Sequence, residues 1–137
     1  MSRLSEAVKN AYEPALSDKQ IDAGRELTER LEKAGFPVTA SFWLYDSDIA
    51  DWRLTLALQA VDLEGTRKVY MKIMDFMAED ENLKNSLDLR DIYLAGPEDS
   101  LIRSFRKLRQ RKLGGTRLRG TAVGGRYVED AYVYKAS

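Results

Sequence analysis

The sequence predicts an α+β fold: a mixed or antiparallel sheet of about five strands with three main helices, in the order (α)αββαβαββ. Two observations carry this. Alternating apolar residues recur in two pairs of neighbouring segments, 38–45 with 52–61 and 117–123 with 126–135, as half-buried strands require. Between and before these pairs lie stretches with helical spacing and helix-end signals. Two antiparallel hairpins exclude a purely parallel sheet, so helices packed on a mixed or antiparallel sheet are expected.

Residues 1–16 read as a short N-terminal helix or arm, with Leu4, Val8 and Ala11 on one shallow face and Pro14 ending it. Residues 17–137 read as a single α+β domain, which suits a chain of 137 residues. The next helix carries a capping-box pair, Ser17 and Gln20. Ile21, Leu27, Leu31 and Ala34 form its inner side, and Gly24 permits close approach. Gly35 stands where a C-terminal cap glycine belongs, and Pro37 blocks continuation.

The first hairpin joins 38–45 to 52–61 through an acidic loop. Matching apolar faces predicts Leu44 opposite Leu54, Phe42 opposite Leu56 and Ala40 opposite Leu58. Trp43 and Tyr45 then fall on the second face with Arg53, Thr55 and Ala57. A helix over 66–81 follows, with Val69, Ile73, Phe76 and Met77 inward. Met71, Met74 and Met77 recur every third residue, and core filling is expected of some of them. Residues 82–88 read as a polar connection and 90–95 as a strand. Pro97, Glu98 and Asp99 open a third helix that buries Leu101, Ile102, Phe105 and Leu108. The last hairpin turns at Gly124-Gly125, a strong two-residue turn signal.

Composition excludes much chemistry. The chain has neither histidine nor cysteine, which removes His-based triads, Cys nucleophiles, disulfides and the usual zinc sites. Lys plus Arg equals Asp plus Glu at 22 each, so only the distribution of charge is informative. No run approaches ~20 apolar residues, and the first residues lack a secretory apolar core, so a cytoplasmic location with no membrane is expected. No P-loop or dinucleotide fingerprint is present, and no strand carries the Glu-x-Lys of a metal-dependent endonuclease.

One departure from even charge stands out. Arg103, Arg106, Lys107, Arg109, Arg111, Lys112, Arg117 and Arg119 follow one another with no acid between them. Such a cluster neutralises phosphates, and arginine forks grip them in pairs. It points to a non-catalytic interaction module that binds nucleic acid or an acidic protein, with no cofactor. The plainer reading is that some of these cations complement a helix C-terminus and lie over apolar surface with their heads in water. Two alternatives remain open. Asp46, Asp48 and Asp51, joined by Asp91 if the sheet brings it near, have the oxygen donors of a hard-cation site, as in a small metal-dependent hydrolase or nuclease effector. Trp43, Tyr45, Tyr132 and Tyr134, if on a wet face, offer an aromatic interface for a partner or a homodimer; if both faces of the sheet are covered, they are core.

The stretch AGFPVTASFWLYDSDIADWRL, with the ending YVEDAYVYK, resembles a family of small uncharacterised bacterial proteins of similar length. The resemblance implies no activity, cofactor or catalytic residue.

Overall fold

The computed structural model describes residues 15–137. Of the expected N-terminal helix or arm over 1–16, residues 1–14 lie outside the described residues. The described chain is α+β, as the patterning predicts. Its elements are α1 (Asp18–Lys33), β1 (Val38–Asp46), β2 (Asp51–Leu58), α2 (Gln59–Glu64), α3 (Thr66–Glu79), α4 (Glu81–Ser86), a 3₁₀ turn (Leu89–Asp91), β3 (Ile92–Ala95), α5 (Ser100–Arg106), β4 (Thr116–Val123) and β5 (Arg126–Ala136). The strands form one mixed sheet in the order β3-β2-β1-β5-β4, parallel only between β2 and β3.

The first helix ends as its sequence dictates. Ser17 Oγ accepts from the Gln20 amide, and Gln20 Oε1 accepts from the Ser17 amide. At the other end Gly35 takes φ +87°, and the Phe36 amide donates to Leu31 O at 2.9 Å, a Schellman closure. Gly24 presses against the Tyr134 hydroxyl and the Trp43 indole, leaving no room for a Cβ.

Both faces of the sheet are covered, and this overturns the predicted hairpin register. Trp43 pairs with Leu54, Phe42 with Thr55 and Leu44 with Arg53, one residue away from the expected pairing. Apolar matching fixes register only where one face is wet. Here the loop decides instead: Asp46 faces Asp51 across a four-residue turn. Trp43, Trp52, Leu54, Leu56 and Tyr134 therefore face α1 and α3 in the larger core. Ala40, Phe42, Ala57, Ala131 and Val133 face α5, where Phe42 and Phe105 stack at 3.9 Å and 5°.

Other boundaries moved for local reasons. Strand β2 stops at Leu58, and Ala60 and Val61 belong to a short helix closed by Gly65 at φ +85°. The polar stretch after α3 is helical because Asp80 caps it, accepting from the amides of Asn82 and Leu83. Met71 and Met74 are exposed. Every-third spacing walks around a helix, and Val69, Ile73 and Phe76 hold the inner line.

The third helix is shorter than expected. Its cap is Asp99, whose carboxylate accepts from the Leu101 amide, so Pro97 lies before it. It ends at Arg106, and Leu108 lies at the surface rather than in the core. At the far end of the sheet, Gly124 and Gly125 take φ +56° and +82° in the two-residue turn between Val123 and Arg126.

Candidate functional site

The eight cations of the basic run do not share a surface. The sheet divides them. Arg103, Arg106, Lys107, Arg109 and Arg111 gather beside α5, whereas Arg117 and Arg119 lie on the α1 side.

On the α5 side, the chain leaving the helix is tied down at close intervals. The Leu108 amide donates to Phe105 O at 3.0 Å and the Arg109 amide to Arg106 O at 3.1 Å. Arg109 takes φ +53°, a left-handed conformation usually left to glycine at a helix end. Gln110 then locks the loop to β5: the Ala136 amide donates to Gln110 O at 2.9 Å, and Gln110 Nε2 donates to Tyr134 O at 2.9 Å. Thr116 Oγ1 donates to Gln110 Oε1 at 2.9 Å.

This anchoring shapes an open depression of about 510 Å³ lined by Arg103, Arg106, Lys107, Arg109 and Arg111, with Glu98 and Ser137 in its wall. Its cations differ in freedom. Arg106 is engaged, donating to Ser137 O, Pro97 O and Glu98 Oε1, each at 3.1 Å. Arg103 lies 3.9 Å from Glu98. Lys107, Arg109 and Arg111 are exposed and form no ion pair among the described residues. Lys112 is exposed and does not line the depression. Five cationic side chains against one acidic side chain leave an excess of positive charge in a concave, solvent-open site, which suits an anionic partner.

On the α1 side, Arg117 is held by Asp130 through two short bonds, Nε to Oδ1 at 2.6 Å and Nη2 to Oδ2 at 2.7 Å. Its guanidinium lies 5.4 Å from the Trp52 ring centre. The Asp130 carboxylate raises the Arg117 pKa above its ordinary value. Arg119 approaches the same carboxylate at 3.5 Å. These two arginines already have a carboxylate, and they cannot join the α5 depression as one patch.

The aromatic set is largely interior. Trp43 and Tyr134 are fully buried. The Trp43 indole N–H donates to the Tyr134 hydroxyl at 2.9 Å, and that hydroxyl donates to Ile21 O. Burial raises the Tyr134 phenol far above its ordinary pKa. Tyr45 is half-buried edge-on to Trp52, and Tyr132 is half-buried edge-on to Tyr134. Trp43 and Tyr134 are therefore core side chains, because the sheet face they occupy is roofed by α1.

The acidic loop uses its carboxylates on its own backbone. Asp46 Oδ1 accepts from the Asp48 amide at 2.9 Å, and Asp51 Oδ1 from the Trp52 amide at 2.8 Å. The parallel β2–β3 pairing does bring Asp91 near Asp51. Burial, then the charges of Asp51 and Asp88, raise the Asp91 pKa. Among the described residues no three acids gather closely enough to share a cation. Also among them, no helix is long and apolar enough to cross a membrane.

Two contributors escaped sequence reasoning. Glu98 seemed only a helix-start acid, yet it is the carboxylate that faces the depression. Arg109 was one cation among eight, and nothing in its neighbours signals a left-handed backbone. No protein-family model, curated protein or solved structure matches the chain.

Proposed function

We propose that this protein is a non-catalytic interaction module whose α5 depression binds the phosphate backbone of a nucleic acid without reading its sequence. The supporting observation is the convergence of Arg103, Arg106, Lys107, Arg109 and Arg111 on one concavity whose lining carries a single acidic side chain, Glu98. Four of the five are arginines, whose planar forks match phosphate oxygens. An acidic protein partner is the weaker reading, since protein interfaces depend on buried aromatic anchors and no aromatic side chain lines the depression. The contacts expected are electrostatic, so affinity must fall with salt.

Fluorescence anisotropy with labelled single-stranded and duplex DNA and RNA, over a salt series, tests this. Three to four neutralised phosphates predict a log–log slope of about −2 to −4. No binding at low salt, or binding indifferent to salt, overturns the proposal. Equal competition by polyglutamate transfers the site to an acidic protein.

A further inference from the structure

A groove of about 380 Å³ runs between the β1–β2 turn, the start of α5 and the end of the β4–β5 hairpin. Half-buried Leu44 and Leu101 form its apolar part, and Tyr127, 69% exposed, lines it as well. An exposed tyrosine beside apolar surface is a common anchor of a protein contact. Asp46, Asp48 and Glu129 also line the groove, against the one guanidinium of Arg126. Arg53, 4.0 Å from Asp46 Oδ2, adds a second cation nearby and still leaves the groove negative.

The complementary surface is on the same chain. Past the other end of α5, the segment Lys107-Leu108-Arg109 sets an apolar side chain between two cations, and all of it is exposed. Its backbone is already fixed, since the Leu108 amide donates to Phe105 O at 3.0 Å and the Arg109 amide to Arg106 O at 3.1 Å. Docking it therefore costs little ordering entropy. Leu101 and Leu108 stand at opposite ends of this short helix, roughly 10 Å apart at 1.5 Å per residue. Held by those bonds, the segment cannot fold back into the groove of its own chain.

We infer that the groove receives the Lys107-Leu108-Arg109 segment of a second copy of this chain, with Leu108 against Leu44 and Leu101 and the two cations against Asp46, Asp48 and Glu129. A two-fold axis near the middle of α5, beside the Gly124 turn that rests on Ser104, sets each segment in the other's groove and closes the assembly as a dimer. Opposite charges across the contact fix its register, and like charges exclude groove-to-groove and segment-to-segment contacts. The contact is small, so the dimer is weak and sensitive to salt. This inference goes beyond the nucleic-acid reading and does not rest on it.

The test is sedimentation velocity of the full chain without nucleic acid, over concentration and salt, with two charge-reversed variants. Asp48→Lys with Glu129→Lys reverses the groove, and Lys107→Glu with Arg109→Glu reverses the segment. The unaltered chain is expected to shift from monomer toward dimer as its concentration rises to about 1 mM at low salt, and back as salt is added. Each variant alone opposes like charges and is expected to stay monomeric. An equimolar mixture of the two is expected to associate, because each supplies the charge that the other has lost. An unaltered chain that stays monomeric, a variant that dimerises alone, or a mixture that does not associate each overturns the inference, and the first of these leaves the groove to a different basic partner. Should a reversed chain unfold, Asp48→Asn with Glu129→Gln decides in its place: association is expected to weaken at least about five-fold, and unchanged association overturns the inference.

Discussion

Arg109 concentrates the conflict between stability and binding in one residue. A non-glycine residue in the left-handed region costs about 1 kcal/mol relative to glycine. Arg109→Gly is therefore expected to raise unfolding free energy by about that amount in denaturant titrations. If its guanidinium grips phosphate, the same variant binds DNA more weakly. A variant that is more stable and binds unchanged would remove Arg109 from the site. Tyr134 makes the opposite case. Its hydroxyl accepts from the buried Trp43 indole, so Tyr134→Phe leaves that N–H unsatisfied and should cost about 1–3 kcal/mol. The raised Tyr134 pKa also has a defined sign. The neutral phenol is favoured in the folded state, so stability is intact below the unfolded tyrosine pKa and falls as pH rises above about 10. Asp91 is likewise raised, by burial and by Asp51 and Asp88. Its charge opposes folding above the ordinary carboxylate range, and Asp91→Asn should leave stability at neutral pH equal or higher.

Elements were legible where local chemistry determined them. Ser17 with Gln20, Gly35, and Gly124-Gly125 each specify a backbone geometry on their own, and each was found where expected. The pairing of β1 with β2 was not legible, because both faces of each strand are apolar and only the turn at Asp46–Asp51 distinguishes the registers. The α5 boundary was missed because cations continue helical spacing beyond Arg106, while the chain itself turns at Arg109 to reach β5. The β4–β5 turn is the sharpest test of an element. A Cβ on Gly124 would meet the Ser104 backbone at 2.7 Å, in a conformation already unfavourable for alanine. Gly124→Ala is expected to cost about 1–3 kcal/mol, since strain at a positive φ and a backbone overlap act together. A neutral variant would mean that the hairpin does not rest on α5 as described.

At the scale of the molecule, the sheet is a partition. One side holds α1, α3 and the Trp43–Tyr134 core, and the other holds α5 and the stacked Phe42–Phe105 pair. The basic run crosses from one side to the other between Arg111 and Arg117, and sequence proximity conceals the crossing. A charge run is contiguous along the chain, but whether it is contiguous in space depends on strand pairing, which no local pattern records. On the edge strand β4, Arg117 and Arg119 have another effect: charge there, with the bend at Gly120 (φ +57°), disfavours pairing with the edge of a second molecule.

The most direct test of this partition compares two double variants by DNA-binding anisotropy across salt. Arg109→Ala with Arg111→Ala removes two free cations from the depression, and Arg117→Ala with Arg119→Ala removes the two that share Asp130. The depression pair is predicted to weaken binding about ten-fold or more and to reduce the salt slope by about 2, while the strand pair leaves affinity within about two-fold. Equal losses from both pairs, or a larger loss from the strand pair, would contradict the account.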